Sequence, residues 1–189
     1  MTAAAHAMSH TVAHRTPLDI ASGRVEGLES VPFEDGLLQA PAAIPPQGPA
    51  VGSNSFPQAP RRGKGRFVSA EIESPVPFDD LVASWNSSLP KGGSLKMSGR
   101  VRVSGEWSPW FLLGTATRTM SSPPSQENSF GKVDTDTLRL TKKADAFQYR
   151  VDLESGRKPA VLELVAVTVS DDDAPAAPPP FRAGPWVRE

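Results

Sequence analysis

His6, His10 and His14 recur at every fourth position near the N-terminus, and they are the only histidines in the chain. On a helix they would share one face, and a histidine pair at that spacing can chelate Zn²⁺ or Ni²⁺. A helix this short is marginal in water without packing, and no carboxylate or cysteine lies close enough to complete a tetrahedral site. The expectation is an unstructured Ala/His-rich tail that holds no metal. Hydrolysis needs an activated nucleophile or a paired acid and base. The chain has no cysteine, which excludes a thiolate nucleophile, thiolate metal ligands and disulfides. A Ser-His-Asp arrangement would require the tail to dock on the body. Asp134 and Asp136 would lie on one side of a strand through VDTDTL, and Asp171-Asp172-Asp173 follow the last strand-like segment. Calcium takes six to eight oxygen ligands, so two carboxylates fall short and the acidic run reads as a solvated strand end. No cofactor is expected, and a hydrolase using carboxylates alone is the weakest functional reading.

The tryptophans offer recognition chemistry. Trp107-Ser108-Pro109-Trp110 leads into Phe111, and Trp85 sits beside Asn86 at the end of another strand-like segment. Indoles carry large rigid faces that stack on sugar rings or peptide side chains. Trp107 and Trp110 have opposite parity on a regular strand, so only one of them is expected on a given face, and Pro109 marks an edge or bulge. Arg100 and Arg102 share the polar face of one strand. Trp85, Trp107, Trp110, Arg100 and Arg102 are therefore the candidate ligand-binding residues, for a cell-wall glycan or a peptide.

Composition narrows the partners. Among 189 residues, 20 Lys+Arg balance 21 Asp+Glu, which gives no bulk attraction to nucleic acid or an anionic membrane. The cluster Arg61-Arg62-Gly63-Lys64-Gly65-Arg66 reads as a solvated linker. No apolar run reaches the ~18 residues that span a bilayer. No Gly-rich phosphate loop opens a helix. The N-terminus lacks an early Lys or Arg followed by an apolar block, so as written it carries no ordinary signal peptide, which would suit a cytoplasmic location.

The elements that must position these residues alternate with a period of two. Leu95, Met97, Val101 and Val103 alternate with Lys96, Ser98, Arg100 and Arg102; Phe147, Tyr149, Val151 and Leu153 alternate with Gln148, Arg150 and Asp152. Val161–Val169 is apolar on both faces except for Glu163 and Thr168, as for a central, doubly covered strand. Further strands are expected at Phe67–Glu73, Leu81–Trp85, Trp107–Leu113 and Val133–Leu140, with weaker ones at Val25–Ser30 and Gly36–Ala40. Turns separate them at Lys91-Gly92-Gly93, Ser104-Gly105 and Ser155-Gly156. Roughly seven to nine short strands over about 145 residues fit an all-β, two-sheet antiparallel β-sandwich of jelly-roll type. The 20 prolines set the boundaries: a disordered tail over 1–21, the β-sandwich domain over 22–170 with an irregular Pro/Gly-rich loop at 41–65, and a Pro-rich polyproline II spacer over 171–189.

Residues 65–170 resemble the N-terminal β-sandwich region of bacterial secreted peptidases of the C-thirty-nine-like, papain-type cysteine peptidase group. Pro77–Asn86 (PFDDLVASWN), Gly105–Gly114 (GEWSPWFLLG) and Val133–Leu140 (VDTDTLRL) carry the match. The resemblance implies an accessory module preceding a peptidase domain, and an extracellular or cell-envelope location. The catalytic cysteine and histidine of such peptidases have no matching positions here. The resulting expectation is a non-catalytic module that binds or positions, with a peptidase domain or another chain as the alternative partner for a purely structural role.

Overall fold

The computed structural model describes residues 8–30, 36–42, 63–117 and 119–172. Among them there is no helix and there are fourteen strands: β1 (Met8–His14), β2 (Arg24–Glu26), β3 (Glu29–Ser30), β4 (Leu38–Ala40), β5 (Lys64–Val68), β6 (Ile72–Ser88), β7 (Ser94–Val103), β8 (Glu106–Trp107), β9 (Phe111–Ala116), β10 (Met120–Ser121), β11 (Gln126–Asn128), β12 (Gly131–Asp134), β13 (Thr137–Glu154) and β14 (Ala160–Asp171). The all-β expectation holds. Every pairing is antiparallel, and hydrogen bonding joins the strands into one continuous sheet along β10-β9-β7-β13-β6-β14-β4-β3, not into two separately bonded ones.

Two long strands make the continuity possible. The first part of β13 lies between β12 and the second half of β6; its last nine residues pair with β7, and of these Ala146 and Phe147 pair on the other side with the start of β6 and the last five with β5. The β6–β13 register shifts between Arg139 and Ala144 and again between Ala144 and Ala146. Pro75 and Pro77 of β6 fall in the interrupted stretch, where a residue without N–H cannot serve a ladder. Ser74 donates its hydroxyl to the Val76 carbonyl there (2.6 Å), a local bond in place of a cross-strand one. The kinked β6 thereby carries Leu81 and Trp85 over β7 and β9. A Cβ on Gly99 would stand 2.9 Å from Leu113 Cδ1 and 3.6 Å from Leu81 Cδ2, and one on Gly114 would stand 2.5 Å from Trp85 Cη2. These glycines let the facing side chains reach the opposing backbone.

The alternating residues read from sequence line the core. Leu95, Met97, Val101, Phe147, Tyr149, Val151, Leu153, Val165, Val167 and Val169 are buried in one cluster with Phe67, Phe78 and Leu138. Each such side chain contributes about 1.5–3 kcal/mol when fully withdrawn from water. On β14 the inner face is fully buried, while Val161, Leu164, Ala166 and Thr168 are half-buried on the other.

Four local expectations are corrected. Residues 8–14, assigned to a disordered tail, form β1 along the edge of β14, from Met8 opposite Asp171 to His14 opposite Val165. The physical reason is a period-two pattern hidden by small residues: His10, Val12 and His14 are half-buried, and Ser9, Thr11 and Ala13 face out. The following turn sends Ile20 into the core, so the tail assignment fails through residue 21 as well. The continuous strand expected through VDTDTL is a hairpin, with Thr135 in the left-handed region (φ 63°) between β12 and β13. The segment Trp107–Leu113 divides into β8 and β9. Finally, Lys64 and Gly65 belong to β5, not to the 41–65 loop. The rest of that loop from residue 43 to 62, His6, and residues 173–189 of the expected spacer lie outside the described residues.

Candidate functional site

The outer face of β7, β8 and β13 gathers four of the five residues singled out by type. Arg102 is opposite Trp107, Arg100 is opposite Gln148, and Ser98 is opposite Arg150. The guanidinium carbon of Arg100 lies 4.8 Å from the ring centroids of both Trp107 and Trp110. Arg102 lies 6.0 Å from Trp107, and Arg150 lies 4.9 Å from Trp110. The result is a ladder in the order Arg102, Trp107, Arg100, Trp110, Arg150, in which cation–π attraction adds to strand pairing.

Trp107 and Trp110 would point to opposite faces of a regular strand, but here the strand is broken between them: Pro109 offers no N–H, and Ser108 turns inward. Ser108 N–H donates to the Val101 carbonyl (2.9 Å), and Val101 N–H donates to the Ser108 hydroxyl oxygen (3.1 Å). With the local register reset, both indoles are half-buried on the same side.

Hydrogen bonds fix the arginines. Arg100 donates through Nε (2.9 Å) and Nη2 (2.5 Å) to Gln148 Oε1, and Gln148 Nε2 donates to the Ser69 carbonyl (2.8 Å). Arg102 donates to Asp145 (2.8 Å), to both carboxylate oxygens of Glu73 (2.9 and 2.8 Å) and to Glu71. Those bonds, to Asp145 first and then to Glu73, push the Arg102 pKa above the ordinary arginine value. Burial instead lowers that of Arg150, partly opposed by Asp152. Arg150 Nε is 3.3 Å from Asp152 Oδ2 but lacks hydrogen-bond geometry, which leaves it as a buried donor without an acceptor.

Beyond Arg150 the face opens into a groove of about 680 Å³ between β5 and β7. Lys64, Arg66 and Lys96 line it with Asp152 and Glu154. Arg66 pairs with Asp152 (2.6 Å) and Lys64 approaches Glu154 (3.7 Å). The groove thus displays both signs of charge beside a stacked aromatic column.

Trp85 stands apart from this face. Its side chain is inside, over Gly114, and it borders two other depressions near β9 and β10. Arg150 and Gln148 were missed as site residues. Their signal was the polar half of the Phe147–Leu153 alternation, but only the β7–β13 register shows which tryptophan they meet.

Among the described residues, no group of three or more His, Cys, Asp or Glu side chains is placed to hold a metal ion. His10 and His14 lie four residues apart on a strand, roughly 13 Å at strand rise, which abolishes the chelating pair a helix would make. Asp134 and Asp136 flank the β12–β13 turn.

No curated protein and no solved structure matches the chain. The family model described as Peptidase C39 N-terminal domain matches residues 10–170. That span contains β2 to β13, most of β1, all of β14 but its last residue, and the whole Trp–Arg ladder. The match is to an N-terminal domain of a peptidase family, and the chain has no cysteine. By this match over most of its length, the chain belongs to the Peptidase C39 N-terminal domain family.

Proposed function

We propose that this chain is a non-catalytic accessory module that recognises a polypeptide, such as a segment of a cysteine-peptidase-type partner, through the outer face of β7, β8 and β13. The observation that carries this reading is the ladder from Arg102 to Arg150 running into the mixed-charge groove. Tryptophan and arginine held rigidly at a surface are the side chains that dominate protein–protein binding energies, because little conformational freedom remains to be lost. The choice of polypeptide over glycan follows from the stacking. A sugar ring needs an open indole face, whereas each of these indoles already lies close to two guanidinium groups. A groove with cations and carboxylates in alternation suits a chain that carries both signs.

The test is a titration of soluble peptide and neutral-glycan arrays against the whole chain. Saturable peptide binding that falls about tenfold or more in Trp110→Ala, and also in the surface variant Lys96→Glu, is the expected result. Flat peptide isotherms, or glycan binding that survives both substitutions, would overturn the reading.

A further inference from the structure

The groove beyond Arg150 holds more positive charge than its own carboxylates neutralise. Four cations line it, Lys64, Arg66, Lys96 and Arg150, against three carboxylates. One of the three, Glu26, is paired with Arg24, which is not part of the lining (2.9 Å). Of the other two, Asp152 accepts from Arg66 Nε (2.6 Å) and Glu154 faces Lys64 (3.7 Å). Lys96 lies opposite Asp152 across the strands, yet it makes no ion pair or hydrogen bond among the described residues. Arg150 carries five N–H donors, and its one hydrogen bond runs from Nη2 to Ser98 Oγ at 3.5 Å. Its Nε approaches Asp152 without hydrogen-bond geometry.

We propose that Arg150 and Lys96 form a seat for an acidic side chain, Asp or Glu, of the polypeptide bound at this face. The inference rests on the reading of the face as a peptide site and adds the residue type that it selects. Arg150 lies opposite Ser98, and Lys96 lies opposite Asp152. The two cations are thus diagonal neighbours on the outer face, roughly 7–8 Å apart, and two side chains of that length can converge on one carboxylate. Arg150 is half-buried and already rests against the Trp110 ring (4.9 Å), so little side-chain freedom is lost when it pairs. Lys96 is exposed and supplies a flexible point charge beside it.

The place of the seat on the face decides what brings the carboxylate. On one side stands the indole column, beginning with Trp110; on the other lie Lys64 and Glu154. A bound chain therefore passes across the seat and offers a side chain there instead of a terminus. Asp152 and Glu154 repel further negative charge, so a single acidic residue with neutral or basic neighbours is selected over an acidic run. An exposed ion pair would contribute little, because water and salt screen it. A guanidinium that is half-buried and backed by an indole is screened less, and it separates Glu from Gln more sharply.

The probes are peptides from an array, blocked at both ends, that bind the whole chain in its native sequence. Each is remade with its Asp or Glu residues changed one at a time to Asn or Gln. One such change should weaken binding about tenfold or more. The same change should cost less in Lys96→Gln and in Arg150→Gln, where part of the seat is already gone. In Lys96→Glu the preference should invert, with Lys at that peptide position binding more tightly than Glu. Lys96 is exposed, so its two variants keep the test decisive even if Arg150→Gln fails to fold. Peptides that bind equally well with every acidic residue neutralised would overturn the seat and leave the peptide reading standing. An acidic preference undiminished in both Lys96 variants would overturn it too. If no peptide binds, the peptide reading itself fails and the seat falls with it.

Discussion

Ser108 completes the hydrogen bonding of Val101 with its side chain as well as its backbone. The N–H of Val101 donates to the Ser108 hydroxyl at 3.1 Å, and the Val101 carbonyl accepts from Ser108 N–H at 2.9 Å. One buried serine thus spans the gap that Pro109 opens and holds Trp107 and Trp110 on a common face.

Ser108→Ala should leave the buried Val101 N–H without its acceptor, at about 1–3 kcal/mol. The urea midpoint should fall, and tryptophan emission should shift to longer wavelength as the Trp107–Trp110 segment loosens. An unchanged midpoint with unchanged emission would show that the clasp does not hold the ladder.

Gly114→Ala places a methyl 2.5 Å from Trp85 Cη2. Overpacking of this kind costs about 1–3 kcal/mol. Adding Trp85→Phe shortens the ring system, so the double variant should lose less than the sum of the two single losses. Strict additivity in denaturant titrations would mean that the indole does not rest on Gly114.

The burial of Asp80 gives the fold a pH signature of its own. Burial raises its pKa, Arg139 opposes the shift, and Asp172 and Asp79 reinforce it. A carboxyl with a raised folded pKa is a penalty at every pH above that value, and the penalty is relieved as pH falls through it. Asp80→Asn should therefore be more stable than the native sequence near neutrality, and the difference should shrink on acidification. Thermal midpoints recorded across that range decide the matter; a difference independent of pH would exclude titration of Asp80 as its source.

Much of the β architecture was legible because period-two alternation is a one-dimensional consequence of burying one face. Leu95–Val103 and Phe147–Leu153 needed no knowledge of their partners for their inner residues to be named. The β1 strand was not legible, since Met8–His14 presents histidine, serine and alanine where a core strand would present valine or leucine, and only the open edge of β14 makes it a strand. The hairpin at Thr135 was hidden for a related reason: an alternating sequence reads the same whether the chain continues or reverses.

The chain's own composition determined that no thiol chemistry is available and that no bulk charge draws it to a polyanion. The residue types also nominated Trp107, Trp110, Arg100 and Arg102. Tertiary structure alone decided that these four stand in one column, that Arg150 joins them and that Trp85 does not. Antiparallel register between β7 and β13 is set by the packing of the whole inner face, and a shift of one residue would turn every outer side chain inward. Side-chain identity is local, whereas adjacency across strands distant in sequence is a property of the closed core.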